Sequence, residues 1–226
     1  MILLAVDTTT PDGSVAVLED RRLLAEFNST GSLNHSQRLL PMVRSVLAAL
    51  GKTIRDMDAF AVAAGPGSFT GIRVGMSTVK GFAYASGKPV LPVSTLSALA
   101  LKLRIPGARL FCPLQDAKKN EVYAALFENR GRRLTEVVPQ GSYDPDHFFS
   151  LCPAHRVVHM IGTGVPLYRE KIASYFGDKI RLPQRSPFIA FEVGLLGFDM
   201  IAASGRKSHF EAEPLYFRRS QAEEGH

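Results

Sequence analysis

The stretch Gly65-Pro66-Gly67-Ser68-Phe69-Thr70-Gly71-Ile72-Arg73-Val74-Gly75-Met76-Ser77-Thr78-Val79-Lys80-Gly81 directly follows the apolar run Ala59-Phe60-Ala61-Val62-Ala63-Ala64. An apolar run, then Gly-Pro-Gly, then apolar residues at helical spacing reads as strand, tight turn and helix. Ser68 is placed to accept bonds from the free N–H groups of the first helical turn. A helix start behind a glycine loop suits an anion. The stretch nevertheless lacks the Gly-Lys-Ser/Thr of a phosphate loop and the dinucleotide spacing with its later acid, so nucleotide binding is weakly signalled.

Glycine inside a helix costs up to about 1 kcal/mol relative to alanine, and Gly71, Gly75 and Gly81 all fall inside this one. Small residues stand on two rows, Gly71 with Gly75, and Ser77 with Gly81 and Ala85, while Ile72, Met76, Val79 and Ala83 form an apolar stripe. Two explanations fit: close packing on the protein's own sheet, or a face that receives a helix of another chain.

The 226 residues, 46% of them hydrophobic, suffice for one large domain or two small ones with a buried core. No apolar run reaches the roughly twenty residues of a membrane span, and Met1-Ile2-Leu3-Leu4-Ala5-Val6 is strand-like, without a basic leader or cleavage site. The expectation is a cytoplasmic protein with no membrane contact. Cys112 and Cys152 stand far apart with no Cys-x-x-Cys pair, which predicts buried free thiols. The net charge of +6 suits work near nucleic acid, but the excess is divided evenly between the two halves. Arg130-Gly131-Arg132-Arg133, the densest cluster, reads as a solvated hairpin turn.

In chain order, Ile2–Asp7, Ser14–Leu18 and Leu23–Phe27 read as an antiparallel meander. A helix over 35–50 follows, with Leu39, Val43, Val46, Leu47 and Leu50 at helical spacing, Pro41 expected to bend or delay it, and Gly51 as its stop. Strand 59–64, helix 69–86, a strand near Pro89–Val93 and a helix from Ser94 complete a β-β-β-α-β-α-β unit with parallel pairing after the crossovers. Ile105-Pro106-Gly107 reads as a boundary. Leu110–Leu114, Glu121–Glu128 and Leu134–Val138 form a second meander, Val157–Ile161 a further strand, and Pro187–Ala203 a helix with Phe188, Phe191, Leu195, Phe198 and Met200 partly on one face. The division expected is 1–104 and 105–226, the second lobe eroded and richer in loops.

Two such units with acidic turns at matching places suggest a duplicated actin-like α/β fold of the ASKHA, ribonuclease H-like type. In that fold each half turns toward the phosphates after its first strand. Asp7-Thr8-Thr9-Thr10 would be the first turn, Gln115-Asp116-Ala117-Lys118 the second, and Gly162-Thr163-Gly164 a glycine turn near the adenosine. Polar turn residues serve any hairpin equally well, so Asp7, Thr8, Asp116, Gly162, Thr163 and Gly164 stand as a vestigial nucleotide cleft or as purely structural turns.

Several stretches together carry a resemblance: Val6-Asp7-Thr8-Thr9-Thr10 with Ser14-Val15-Ala16, His35-Ser36 with Leu39-Leu40-Pro41, the glycine-rich stretch, Val93-Ser94-Thr95-Leu96, Asp116 to Tyr123, and Pro214-Leu215-Tyr216-Phe217-Arg218. In this order they resemble the bacterial TsaB (YeaZ) family over almost the whole chain. The resemblance implies an actin-like fold and a part in making threonylcarbamoyladenosine beside the tRNA anticodon, as the partner of the catalytic paralogue TsaD. It implies the ATPase TsaE as a further partner, transient contact with tRNA, no cofactor of the chain's own, and ATP or ADP only within the complex.

TsaD holds a metal through two histidines at i and i+4 on the helix after the strand matching Pro89–Val93. Thr95 and Leu99 occupy those places here, and neither replaces an imidazole. His155 and His159 keep the separation but on or beside a strand, where it spans roughly 13 Å, too far for one ion. No Gly-x-Ser-x-Gly turn or His-Glu-x-x-His is present. His35 is expected to serve the start of its helix.

The expectation is therefore a non-catalytic subunit whose helices 35–50 and 69–86 bundle with the equivalent pair of TsaD, or with a second copy as a homodimer when alone. Leu39, Val43, Val46, Met76 and Lys80 are the expected contacts, and Gly71, Gly75, Ser77 and Gly81 permit close approach. Gly75→Leu would then abolish the heterodimer and leave the monomer folded. The alternatives are an independent actin-like ATPase, resting on Asp7, Asp116 and Gly162 to Gly164, and a glycoprotease-like peptidase.

Overall fold

Strand β1 (Ile2–Asp7) lies at the centre of the first sheet, buried on both faces from Leu3 onward, as its unbroken apolar run requires. It pairs antiparallel with β2 (Gly13–Glu19), which pairs antiparallel with the edge strand β3 (Arg22–Ser29). The β2–β3 turn places Asp20 and Arg21 at φ 46° and 71°, the left-handed pair of a tight hairpin. On its other side β1 pairs parallel with β4 (Ala59–Gly65), and β4 with β5 (Val90–Ser94), giving the order β3-β2-β1-β4-β5. These are the expected meander and parallel crossovers.

The computed structural model describes residues 1–31, 34–131, 133–204 and 212–217; Arg132 and Arg218 lie outside them. Helices α1 (His35–Ala49) and α2 (Phe69–Ser86) are joined by a short 3-10 turn (Ile54–Asp56) and β4. Both cover the sheet face that carries Leu4, Val6, Val15, Val17, Phe60 and Val62, and they contribute Leu39, Met42, Val43, Val46, Met76 and Val79 to one core. α1 begins at His35 and runs through Pro41. α2 is capped by the Ser68 hydroxyl, which accepts from the Gly71 N–H at 3.2 Å, and ends at Gly87 with φ 69°.

The helix over 190–204, α7 (Ala190–Ser204), corrects the expected division. It does not belong to the second lobe; residues Phe188–Tyr216 group with Met1–Ala98. Its buried side carries Gly194 and Gly197 beside Val193 and Phe198. A Cβ on Gly194 would meet the Leu18 side chain at 2.5 Å, and one on Gly197 would meet Ala61, Leu3 and Leu91 at 3.1 to 3.3 Å. Helix and sheet therefore approach too closely for a larger side chain, while Phe191 and Leu195 stay partly exposed. The Ser14 hydroxyl accepts from the Ala190 N–H at 3.0 Å, and Arg21 reaches the carboxylate of Asp199.

Helix α3 (Thr95–Lys102) leads into the second unit, whose main body is Leu99–Pro187. Its meander is β6 (Leu110–Lys118), β7 (Glu121–Arg130) and β8 (Arg133–Tyr143), and β9 (Val158–Ile161) and β10 (Ile180–Arg181) add in parallel beside β6. The order is β10-β9-β6-β7-β8, the same design as the first sheet. Helices α4 (Pro145–Ser150), α5 (Gly164–Leu167) and α6 (Arg169–Phe176) are additions to the expected set. Phe148, Phe149, Ile172 and Phe176 from α4 and α6 close the core over Leu110, Cys112, Leu114, Val158 and Met160. Both cysteines are buried and free.

Candidate functional site

The turn after β1 is folded in on itself. Asp7 is 2% exposed, and its carboxylate accepts from the Thr9 N–H at 2.9 Å and from the Thr9 hydroxyl at 2.7 Å. Burial outweighs these bonds and raises its pKa to about 6. Thr8 is 1% exposed and donates to the Gly71 carbonyl at 2.7 Å, while the Ser68 N–H donates to the Thr9 carbonyl at 2.7 Å. A Cβ on Gly71 would overlap the Thr8 carbonyl, and one on Gly75 the Thr8 hydroxyl. That resolves the first row of small residues: it is the slot into which the protein's own β1 turn packs.

The start of α1 braces the same turn. Arg38, buried, donates to the Pro11 carbonyl and, at 3.2 Å, to Nδ1 of His35; the opposite nitrogen, Nε2, donates to the Thr10 carbonyl at 2.7 Å. These bonds fix the Nε2–H tautomer. Desolvation lowers the His35 pKa and keeps the ring neutral. Asn34, not His35, takes the N-cap position, so His35 is a brace for Thr10 rather than a cap.

In the second unit the structure gathers Asp116, Thr163 and the two glycines at the C-terminal ends of β6 and β9. Gln115 Oε1 accepts from both the Thr163 N–H (3.1 Å) and the Thr163 hydroxyl (2.6 Å), and the same hydroxyl accepts from the Asp116 N–H (3.0 Å). Asp116 takes the Lys118 N–H and ammonium at 2.8 and 2.7 Å. Gly162, at φ 125°, has room for no Cβ against the Leu114 carbonyl. In both turns the backbone N–H groups that would cradle a phosphate, those of Thr9, Asp116, Lys118 and Thr163, already have intramolecular acceptors.

The second row of small residues behaves differently. Ser77 and Gly81 are exposed, Lys80 is half-buried, and nothing lies within 4 Å of a Cβ on Gly81. Tyr84 stands one helical turn on, 86% exposed, and Leu40 of α1 is 53% exposed. Between the two helices runs a groove of about 570 Å³ that Leu40, Phe69, Val74 and Ser77 help to line. At its end Tyr216 stacks on Phe69 with ring centroids 4.9 Å apart, Arg73 lies 3.7 Å over the Phe69 ring, and the Arg73 Nε–H donates to the Tyr216 hydroxyl at 3.2 Å.

A family model described as "TsaD: tRNA N6-adenosine threonylcarbamoyltransferase" matches residues 29–179. The Bacillus subtilis (strain 168) tRNA threonylcarbamoyladenosine biosynthesis protein TsaB is 32% identical over 180 residues, 79% of this chain and 78% of the relative. The chain belongs to the TsaB family. Its fold matches the solved structure of YeaZ from Pseudomonas aeruginosa with a TM-score of 0.77 at 32% identity, over 95% of this chain and 99% of that one. A ROK hexokinase from Thermus thermophilus aligns with a TM-score of 0.52 at 15% identity, over 89% of this chain and 100% of that one. That likeness extends to the fold alone, a duplicated actin-like architecture in which this TsaB member's two sheets share one strand order.

Two sets of expected TsaB site residues are corrected by the geometry. Leu39, Val43, Val46 and Met76 are at most 4% exposed and belong to the chain's own core, Leu39 also reaching the wall of the groove, and Gly71 and Gly75 face Thr8. Of the expected contacts only Ser77, Lys80 and Gly81 reach the outside. Leu40 and Tyr84 were missed; 100° steps from the buried Leu39 and Val79 would have pointed both outward. At the places of the TsaD histidines, Thr95 and Leu99 are buried and offer one hydroxyl and a hydrocarbon, a donor set that does not fit a metal. Among the described residues no group of three or more His, Cys, Asp or Glu side chains is arranged to hold an ion, and no helix is long and apolar enough to cross a membrane.

Proposed function

We propose that this chain is the non-catalytic partner of the TsaD transferase in the biosynthesis of threonylcarbamoyladenosine beside the tRNA anticodon. It holds TsaD in a productive arrangement through the outer face of α1 and α2. The observation that carries this reading is that face: Leu40 and Tyr84 exposed, Ser77 and Gly81 leaving α2 flat, and an apolar groove between the helices. A flat helix row beside exposed apolar side chains suits a second helix pair at close packing distance. The support for the pathway is the name of the Bacillus subtilis relative and the match to the TsaD model.

The effect on TsaD is a population shift: a partner that binds one arrangement of TsaD more tightly than others raises its share without doing chemistry. No general acid, base or nucleophile is assigned to this chain. Both phosphate-facing turns are satisfied internally, so ATP and ADP act on the complex through its other members, and TsaE is the further partner. Without TsaD the same face pairs with a second copy, which gives a homodimer.

Calorimetric titration of the chain with TsaD, followed by transfer assays with each protein alone and together, tests this. Expected are tight binding, transfer that requires both, and loss of both when Leu40→Asp and Tyr84→Asp are combined. Transfer by either protein alone, or full activity of the double variant, overturns it. Saturable binding of ATP to the isolated chain would return a nucleotide role to Asp7 and Asp116.

A further inference from the structure

Strands β6, β9 and β10 run parallel, and their N-terminal ends lie at the opposite edge of the second sheet from Asp116 and Gly162. Phe111, His159 and Arg181 form one row across the three strands. Strand alternation sets Arg109 on the face of Phe111 and Val157 on the face of His159, and Arg156 closes the turn before β9. Arg109, Arg156, Val157, His159 and Arg181 border a pocket of about 450 Å³ whose charged groups are the three arginines.

The positive charge there is under-compensated. Glu128 is the carboxylate at hand: it accepts from Arg156 at 2.7 Å and from Arg130 at 3.0 Å, and these two bonds hold its pKa below the usual carboxylate value. Arg181 donates to the carbonyls of Asp178 and Ile180, both at 2.8 Å, which fixes its guanidinium; the Asp178 carboxylate lies close enough to feel its charge but is paired first with Lys179 at 2.9 Å. Arg109 has no carboxylate partner among the described residues. Nδ1 of His159 is buried without a well-formed hydrogen bond, and the Leu110 backbone is close enough to act on the ring. Desolvation lowers the His159 pKa against an opposing contact with the Leu110 backbone, and the nearby Arg181 charge lowers it further.

We infer that this pocket binds phosphate groups of an RNA backbone, and that it is the surface through which the chain touches tRNA. The assignment rests on the proposed role in tRNA modification. Guanidinium groups held by backbone carbonyls present the planar forks that suit phosphate oxygens. The remaining lining, Pro106, Gly107, Ala108 and Val157, adds no hydrogen-bonding side chain that could read a base edge, so the arginine forks make this a contact with the RNA backbone. The site lies in the second unit, whereas the face proposed for TsaD lies on α1 and α2 of the first, so the two are carried by different residues throughout.

Fluorescence anisotropy of a labelled tRNA with the full chain, repeated from about 50 to 200 mM salt, reads the contact directly. Arg109→Glu with Arg181→Glu is expected to weaken binding at least tenfold and to flatten the slope of log affinity against log salt by about two. Arg109→Gln with Arg181→Gln, which keeps hydrogen-bonding side chains, is expected to flatten it by the same amount. Arg55→Glu, an exposed arginine of the first unit, is the control and should leave both readings unchanged. Unchanged affinity and slope in both double variants overturns the proposal. If they lose inorganic triphosphate but keep tRNA, the pocket is a small-phosphate site and the RNA assignment falls. Gel filtration of the same variants with TsaD separates the two ideas: tRNA binding lost with the complex intact supports the pocket, and a chain that binds tRNA here without ever binding TsaD removes only the proposed function.

Discussion

The Thr8 hydroxyl donates to the Gly71 carbonyl at 2.7 Å and lies where a side chain on Gly75 would have to be. Helix α2 is thus notched to fit the turn that follows β1, and the notch has a measurable energy. Gly75→Ala gains helix propensity of about 1 kcal/mol but overpacks the slot, for which about 1–3 kcal/mol is the usual cost. A net loss of urea stability is expected. Gly81→Ala, with open space around the new methyl group, is expected to gain up to about 1 kcal/mol. Equal effects at the two positions would contradict the notch.

Leu39 and Leu40 are sequence neighbours on opposite sides of α1, 1% and 53% exposed. Leu39→Ala is expected to destabilise the fold by about 2–5 kcal/mol, as large-to-small core changes do. Leu40→Ala is expected to move stability by less than about 0.5 kcal/mol and to weaken TsaD binding by about tenfold. Chemical denaturation and calorimetry on the same two variants separate folding from docking.

Asp7 gives the fold a pH dependence of defined sign. Its pKa is raised from 3.8 to about 6 on folding, so between these values the folded state binds the extra proton. Its contribution is therefore most favourable below about pH 4 and is lost as pH rises through 6. The two-unit shift corresponds to about 3 kcal/mol. His35, whose pKa is lowered, acts in the opposite direction, so the comparison must be made with Asp7→Asn. The difference in urea midpoint between wild type and this variant is expected to change from pH 4 to pH 7; a constant difference would show that Asp7 titrates normally.

Burial pushes the Cys152 thiol up to about 12 and the Cys112 thiol well above its ordinary value. Neither forms a thiolate at pH 8, and thiolate is the reactive species. Titration with an aromatic disulfide reagent is expected to find no fast thiol in the native chain and two in denaturant. One fast-reacting cysteine in the native state would place it outside the core.

The sheets were legible because the apolar runs 2–7, 59–64 and 110–114 have few ways to be buried, and the glycine-rich stretch fixed the order strand, turn, helix. In the second unit Asp116, expected in a turn, lies near the end of β6, and it meets Thr163 because β6 and β9 are parallel neighbours. What could not be read was direction around a helix and distance between layers. Leu39, Val43 and Val46 share one stripe in the sequence, and a stripe has the same spacing whether it meets its own sheet or another chain. For α7 the large residues drew attention, whereas Gly194 and Gly197 make the contact with Leu18, Leu3 and Ala61. Small residues carry no hydropathy signal, so this close approach left a faint trace in the sequence.

Helix α7 also sets an order of events during synthesis. Residues Leu99–Pro187, the body of the second unit, leave the ribosome as one uninterrupted piece, while the first unit waits for Phe188–Tyr216 before its sheet is covered on both faces. The strands made first are therefore among the last to be enclosed, and until Gly194 and Gly197 arrive, Leu3, Leu18, Ala61 and Leu91 form an open apolar surface. A nascent chain stopped at Pro187 would carry the main body of the second unit complete and the first unit's sheet still uncovered on one face.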